Sequence, residues 1–202
     1  MHPEALDNNT TAVWEKCAFL PDFYLAGGTA LALQIGHRKS VDLDFFSSDP
    51  VKKTLLKILE EKFATVAPLV NSRDELTVLL DGIKVTFLYY PFVLLYPTLP
   101  TAVVPLASVK DIASMKAYAL GRRQSLKDYI DLYTIFSLGF IPFSDVLRDS
   151  QQKYGDAFND RLFSEQLLYT DDLEDESIDW LTEPKTKEEV KDFFKTLLSD
   201  IG

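Results

Sequence analysis

The alternation of apolar and polar residues predicts a strand, a helix and a second strand in the first quarter of the chain. An apolar run, 23–26, leads into the glycine pair Gly27-Gly28 and a helical segment of about two turns. Apolar and polar residues then alternate over 41–46. Successive side chains of a strand point to opposite faces, so Asp42 and Asp44 are predicted to share one face.

The same pattern predicts further elements up to about residue 106. A helix is expected from about 9 to 19, capped by Thr10 or Thr11 and stopped by Pro21. Another helix is expected to begin at Asp49-Pro50 and to run to about residue 62. Strands are expected over 63–70, 75–80 and 83–90, and Asp81-Gly82 between the last two is a strong hairpin signal.

From Ala107 onward the pattern is helical. The predicted helices are about 107–120, 124–138, 143–153, 158–169 and 186–199. The expected fold class is therefore α+β, with a small mixed β-sheet and flanking helices followed by a helical C-terminal half. The predicted domains are an α/β core at 1–106 and a helical region at 107–202 that packs on the core.

Composition indicates a folded protein without disulfides or membrane spans. Of 202 residues, 47% are hydrophobic, enough to bury a sizeable core. The single cysteine, Cys17, excludes an internal disulfide and is compatible with a reducing compartment. The first nine residues show no secretory signal, and the longest apolar stretch, 83–95, is too short and interrupted for a bilayer. We expect a soluble, cytoplasmic protein.

Charge is negative overall but unevenly distributed. The net charge of −10 argues against non-specific nucleic-acid binding by the whole surface. Residues 171–183 carry seven acids and no base, and such runs are mostly solvated. Residues 110–127 carry five bases and one acid. This second segment is either a local basic face or a solvated helix with mixed charges.

The first group of residues with chemical potential is the strand–helix–strand unit. Asp42 and Asp44 would lie about 7 Å apart on one strand face, which suits a hard divalent cation better than a salt bridge. The pair Gly27-Gly28 at the start of a helix offers free backbone N–H groups to a phosphate. A nucleotide that carries a diphosphate and magnesium is the ligand that needs both features.

A second group lies between residues 110 and 133. If one helix continues through Gly121, Lys116, Arg123 and Lys127 fall near one stripe. If the helix breaks there, two antiparallel helices would bring Lys116 back towards Asp128. Asp131 lies on the apolar flank, which indicates a partner such as Lys127 or an arginine.

These residues together resemble the AbiEii/AbiGii nucleotidyltransferase family, whose members include toxins of type IV toxin–antitoxin and abortive-infection systems. The resemblance covers roughly residues 20–140. It rests on the order of three segments, Gly27–Gln34, Gly36–Phe46 and Lys110–Tyr133. Each motif alone is common, whereas the ordered set is specific. The resemblance implies a polymerase-β-like nucleotidyltransferase core with a helical C-terminal part.

The resemblance also assigns roles to individual residues. The catalytic residues that it implies are Asp42, Asp44, Lys116, Asp128 and Asp131. The nucleotide- or phosphate-binding residues are Gly27, Gly28, Thr29, Arg38, Ser40, Arg123 and Lys127. Ser40 would donate its hydroxyl to a phosphate oxygen, and Asp42 and Asp44 would hold the metal, Mg²⁺ or Mn²⁺. Thr29 is also expected to cap the helix that begins after Gly28.

The implied reaction is magnesium-dependent transfer of a nucleoside monophosphate from an NTP. The acceptor would be an RNA end, such as that of a tRNA, or a protein hydroxyl. The basic segment 110–127 would be the landing site of the acceptor. A cognate antitoxin is a further implied partner, and no membrane is involved. The chain has no P-loop motif, which sets aside NTP hydrolysis of that type.

One position departs from the pattern of polymerase-β-like enzymes. These enzymes usually place a third carboxylate on a neighbouring strand, and here Thr86 is expected at that place. A threonine is neither an anionic ligand nor a base at neutral pH. Three interpretations stay open: two acids work with Asp128 or Asp131, the nucleophile is activated differently, or activity is lost. In the last case the protein is a weakened module that binds a nucleotide or a partner.

Overall fold

The structure, a computed structural model, describes residues 1–120, 122–123, 125–170, 173–174 and 176–199. The chain forms two compact units, Met1–Ser108 and Val109–Gly202. Gly121, where a helix break was expected, lies outside the described residues, as do Asp171, Asp172 and Asp175 of the acidic stretch.

The first unit, described throughout, is a five-stranded sheet with flanking helices. Its strands are β1 Tyr24–Ala26, β2 Leu43–Ser47, β3 Val66–Asn71, β4 Glu75–Leu80 and β5 Ile83–Tyr89. Its α-helices are α1 Asn8–Lys16, α2 Gly27–Ile35 and α3 Leu55–Lys62. The strand order is β1-β2-β5-β4-β3, and β2 runs parallel to β5 while the other neighbours are antiparallel. The predicted fold class is confirmed.

The core of this unit lies on one face of the sheet. Leu43 and Phe45 of β2 and Val85 and Phe87 of β5 are fully buried there. The ring of Phe45 stacks on Phe87 with centroids 5.3 Å apart and on Trp14 of α1 at 6.0 Å. Burying each such side chain contributes about 1.5–3 kcal/mol. The intervening residues of β2 and β5 therefore point to the opposite face.

The hairpin between β4 and β5 forms at the predicted turn. Asp81 and Gly82 both have positive φ, 48° and 87°, as a two-residue turn of the mirror-image type requires. The carboxylate of Asp81 accepts a hydrogen bond from the backbone N–H of Thr65 at 2.9 Å and pairs with Lys16 at 2.8 Å. These contacts hold the tip of the hairpin against α1 and the start of β3.

Two helix starts differ from the prediction. Neither Thr10 nor Thr11 caps α1, because the carboxylate of Asp7 accepts from the Thr10 N–H at 2.7 Å and starts the helix earlier. The helix predicted from Pro50 begins only at Leu55. The preceding residues are held elsewhere, since the Val51 N–H donates to the carbonyl of Arg73 at 3.0 Å.

The second unit is helical. Its helices are α4 Val109–Ala119, α5 Leu126–Ser137, α6 Phe143–Tyr154, α7 Asp160–Leu167 and α8 Lys187–Ser199. Helix α4 ends before α5 begins, so the interpretation with two helices is correct. In the part of the chain that the structure describes, no helix is long and apolar enough to cross a membrane.

One ion pair joins α4 to α6, and another joins the first turn of α5 to the segment before α8. The ammonium of Lys153 in α6 lies 2.6 Å from the carboxylate of Asp111 in α4, and both side chains are fully buried. Glu176 departs from the expectation of a solvated acidic stretch. Its carboxylate accepts from the Leu126 N–H at the start of α5 at 2.9 Å and lies 3.5 Å from Lys127.

Candidate functional site

Asp44 lies on the sheet face opposite the core, directly beside the glycine corner. It is paired with Ala26 of β1 on one side and with Thr86 of β5 on the other. Gly27 follows β1 with φ of 69°, and a Cβ added there would come 3.0 Å from Asp44 Oδ2. The absence of a side chain at Gly27 therefore lets the backbone approach the carboxylate.

Asp42 is placed differently from the prediction of two acids on one strand. Strand β2 begins at Leu43, so Asp42 lies just before it and is exposed, whereas Asp44 is partly buried. The backbone of Asp42 is held in place because its carbonyl accepts a hydrogen bond from the Thr29 hydroxyl. The backbones of the two residues are thus held by different means, Asp44 by the sheet and Asp42 by Thr29 of α2.

The prediction that Thr29 caps α2 is wrong. The helix already begins at Gly27, with Ala26 at the capping position and no side-chain cap. The Thr29 hydroxyl instead contacts the Ser40 Oγ at 2.7 Å, besides the Asp42 carbonyl. Thr29 therefore fastens the loop before β2 to the first turn of α2.

Arg38 lies over the second glycine of the corner. Its guanidinium is so close to Gly28 that an added Cβ would come 2.5 Å from Nη2 and 3.6 Å from the Ser40 Oγ. Only 3% of Arg38 is exposed, and its Nη1 donates to the Lys39 carbonyl at 3.1 Å. The first unit thus brings together the predicted residues Gly27, Gly28, Thr29, Arg38, Ser40, Asp42 and Asp44.

This arrangement fits a hard cation in part. In the described residues there is no cluster of three or more His, Cys, Asp or Glu side chains that suits a metal. The candidate donors are the oxygens of Asp42 and Asp44. Mg²⁺ is commonly bound by one or two carboxylates together with substrate phosphates and water. Asp42 and Asp44 lie beside the glycine corner, where a Cβ on Gly27 would occupy the space next to the Asp44 carboxylate. Two acids beside such a space match that mode of binding.

The remaining predicted catalytic residues form a buried ion cluster in the second unit. The Lys116 ammonium lies 2.6 Å from the carboxylates of both Asp128 and Asp131. Arg123 binds Asp128 through Nε at 2.7 Å and through Nη2 at 2.9 Å. The sequence predicted a partner for Asp131, such as Lys127 or an arginine, and the structure shows an ion pair with Lys116. Lys127 pairs with Glu176 and not with this cluster.

Charge within the cluster governs the titration of Asp128. Burial alone would raise the pKa of its carboxyl, but Lys116 and Arg123 outweigh burial and hold the pKa below its ordinary value. Asp128 is therefore a stable anion at neutral pH. Arg123 is the outward member of the group, because 61% of its side chain is exposed while Lys116 is buried.

The sequence analysis missed two residues of β4, Thr77 and Glu75, which connect to Thr86 through their side chains. Thr77 of β4 is the strand partner of Thr86, and its hydroxyl donates to the Glu75 Oε1 at 2.6 Å. The hydroxyls of Thr77 and Thr86 lie 3.4 Å apart. A two-residue turn at Asp81-Gly82 fixes the pairing of β4 with β5, so the neighbour of Thr86 was available from the sequence.

Two solved structures share this fold. The chain matches MenT4, a nucleotidyltransferase toxin from Mycobacterium tuberculosis H37Rv, with a TM-score of 0.61 and 20% identity, covering 94% of this chain and 82% of MenT4. It matches a candidate nucleotidyltransferase from H. pylori with a TM-score of 0.60 and 16% identity, covering 95% and 91%. The fold is therefore that of a nucleotidyltransferase.

Sequence comparison gives the family. The model of the nucleotidyl transferase AbiEii toxins of type IV toxin–antitoxin systems matches residues 12–87 and 70–202. An uncharacterized protein of Aquifex aeolicus (strain VF5) is 36% identical over 178 residues, or 86% of this chain and 85% of that protein. The chain belongs to the AbiEii nucleotidyltransferase toxin family.

Proposed function

We propose that the protein transfers a nucleoside monophosphate from an NTP to a hydroxyl of RNA or protein. The observation that carries the proposal is the packing of Gly27 against the Asp44 carboxylate. A nucleotide phosphate bound at the glycine corner would lie beside that carboxylate. Family membership and the shared fold support nucleotidyl transfer, and the site geometry supports where it takes place.

In the proposed reaction the acceptor oxygen attacks the α-phosphorus in line. A new P–O bond forms, the bond to the bridging oxygen of the β-phosphate breaks, and pyrophosphate leaves. Asp42 and Asp44 would hold Mg²⁺ or Mn²⁺. When bound, the metal supplies charge neutralisation at the α-phosphate and the leaving group. The acceptor proton passes to water or to a site carboxylate.

Phosphate contacts in this proposal come from α2 and its surroundings. Backbone N–H groups at Gly27 and Gly28 would donate to phosphate oxygens. The Arg38 guanidinium beside Gly28 would neutralise phosphate charge. Ser40, joined to Thr29, would add a hydroxyl to the same cradle.

The resemblance assigns the ion cluster of the second unit to the same reaction, and the contacts within the cluster suggest a different role for each of its basic residues. Lys116 spans Asp128 and Asp131 and keeps both anions in place. Arg123 is exposed and bidentate to Asp128, so it is the member that a phosphate reaches from solvent. We therefore assign phosphate neutralisation to Arg123 and the organisation of the cluster to Lys116.

The biological setting is part of the proposal. The family description names type IV toxin–antitoxin systems, from which we infer a toxin role and a cognate antitoxin encoded nearby. An NTP-consuming enzyme of this kind is expected in the cytoplasm. RNA ends, including those of tRNA, and protein hydroxyls are the acceptor classes to be compared.

Incorporation of label tests the function. The protein is incubated with each α-labelled NTP, Mg²⁺, and total cellular RNA or protein, and labelled product is measured. We expect label in one acceptor fraction and a loss of about a hundredfold or more in Asp44→Ala and Asp42→Ala. Asp49→Ala, an exposed acid beyond the end of β2, is the matched control and should keep full activity.

Two outcomes would go against the proposal. Equal labelling by the wild type and Asp44→Ala would mean that another site or a contaminant does the chemistry. Nucleotide binding without any incorporation would favour the weakened binding module, which the threonine at position 86 leaves open.

A further inference from the structure

A row of polar side chains crosses three strands next to Asp44. Asp44 of β2 is paired with Thr86 of β5, and Thr86 is paired with Thr77 of β4. Neighbouring strands lie about 4.8 Å apart, so these three side chains adjoin on the face opposite the core. Thr86 occupies the position where a third carboxylate is expected, and Thr77 separates it from the next acid, Glu75.

The hydrogen bonds along this row run in one direction. Each hydroxyl has a single proton to donate. Thr77 gives its proton to the Glu75 Oε1 at 2.6 Å, a bond strengthened by the charge of the carboxylate. Because Thr77 has no second proton, we infer that Thr86 donates and Thr77 accepts in the contact between the two hydroxyls, which lie 3.4 Å apart. In this arrangement the Thr86 hydroxyl directs its proton towards Thr77, and the lone pairs of its oxygen face Asp44.

Burial makes this arrangement persistent. Thr77 is 4% exposed and Thr86 is 7% exposed, so water competes little for their hydroxyls. Glu75 is only half-buried, so its carboxylate keeps some contact with water. Lys84, two residues before Thr86 on the same strand face, is exposed.

We propose that the Thr86 hydroxyl oxygen is the third ligand of the cation held by Asp42 and Asp44, and that Glu75 positions it through Thr77. This inference rests on the proposed function. A threonine or serine hydroxyl is an established Mg²⁺ ligand in other nucleotide-binding sites. Glu75 thus provides the third negative charge of the site from one strand further away, in place of an acid at position 86.

Binding of Mn²⁺ alone, followed by electron paramagnetic resonance without nucleotide, tests the inference independently of catalysis. We expect Glu75→Gln and Thr77→Val each to weaken Mn²⁺ binding about threefold to tenfold. The double variant should bind Mn²⁺ no more weakly than the single variant with the lower affinity, because both changes interrupt the same series of hydrogen bonds. Thr86→Val should weaken binding at least as much as either.

The matched controls come from the same unit. Thr10 is a buried threonine whose hydroxyl has no hydrogen-bond partner in the described residues, so Thr10→Val removes a hydroxyl outside the row. Glu61→Gln neutralises an exposed acid of α3. Both should bind Mn²⁺ as the wild type does. Urea unfolding of every variant shows whether it is folded, and if Thr77→Val is not, the partly exposed Glu75→Gln decides alone.

The outcomes separate this inference from the proposed function. We call the positioning of Thr86 by Glu75 through Thr77 the relay. If Asp44→Ala abolishes Mn²⁺ binding while Glu75→Gln and Thr77→Val bind normally, the relay is wrong and the cation site stands. Additive losses in the double variant would also overturn the relay. A wild type that binds no Mn²⁺ would overturn both the site and the relay. The expected Mn²⁺ results without nucleotide incorporation would support the relay and refute the transfer reaction.

Discussion

Gly27 and Gly139 share a backbone conformation but differ in their surroundings. Both have φ of 69°, in the left-handed region that side chains rarely adopt. A Cβ on Gly27 would come 3.0 Å from Asp44 Oδ2, whereas a Cβ on Gly139 would meet nothing within 4 Å. The pair therefore separates the cost of backbone strain from the cost of displacing the carboxylate.

Replacing each glycine with alanine should have equal effects on stability and unequal effects on activity. Both variants should lose about 1–2 kcal/mol of unfolding free energy from the left-handed conformation. Gly27→Ala should also reduce nucleotide incorporation at least tenfold, because Asp44 must move, while Gly139→Ala stays active. Urea unfolding and the labelling assay provide the two measurements. Equal activity in the two variants would show that close approach at Gly27 is unimportant.

At single residues, the sequence predicted positions along the strands better than side-chain contacts. The pattern of polymerase-β-like enzymes predicted Thr86 on a strand next to the metal-binding strand, and the pairing of Thr86 with Asp44 agrees with that expectation. The role of Thr29 was missed because its partners, Ser40 and the Asp42 carbonyl, belong to a loop. No periodicity predicts how a loop folds back onto a helix.

At the level of elements, α4 and α6 are joined by a buried ion pair. Asp111 and Lys153 lie 2.6 Å apart with fully buried side chains. Burial lowers the pKa of Lys153, and the hydrogen bond that Lys153 donates to the Asp111 carboxylate opposes that shift. Neither charge is screened by solvent, so the loss of one leaves the other buried without the ion-pair partner that lies 2.6 Å away.

Single substitutions in this pair should therefore be costly and the apolar double substitution mild. Asp111→Leu or Lys153→Met alone should lower the unfolding free energy by about 3–5 kcal/mol. The double variant should recover most of that loss, since apolar side chains of similar volume replace both charges. Urea titration monitored by far-UV circular dichroism measures these values. Single variants within 1 kcal/mol of the wild type would contradict the argument.

Elements were predictable where their signals are local. Strand β4 and the hairpin turn were predicted correctly because the alternation and the Asp-Gly pair lie in adjacent residues. The start of α3 was predicted too early because Pro50 suggested a first turn, while a contact with Arg73, more than 20 positions away, holds Val51. The buried partnership of Asp111 and Lys153 spans 42 positions and left no periodic signal.

At the level of the whole molecule, net charge describes the surface poorly. The basic segment 110–127 suggested a local cationic face on a protein of net charge −10. In the structure Arg123 is bound to Asp128 and Lys127 to Glu176. Asp128, which directly follows the segment, and the more distant Glu176 thus neutralise part of its charge. A count of charges cannot show this, because the pairing depends on tertiary structure.

The single cysteine offers a probe of how the first unit opens. Cys17 is fully buried, and burial raises the pKa of its thiol to about 12 from an ordinary 9.0. Only the thiolate reacts with disulfide reagents. At pH 8 the native thiolate fraction is on the order of one in ten thousand, so modification must pass through opened molecules that expose an ordinary thiol.

This argument predicts the pH dependence of modification by a disulfide reagent such as dithionitrobenzoate. The rate should rise about tenfold per pH unit below pH 8 and level off near the ordinary thiol pKa of 9.0, because the opened state determines it. Low concentrations of urea should accelerate the reaction in proportion to the opening equilibrium. A rate that keeps rising tenfold per unit up to pH 10, and that is insensitive to urea, would mean that reagent reaches the thiol in the native protein. In that case the packing around Cys17, and with it the core that supports the Asp44 face, would be looser than the structure shows.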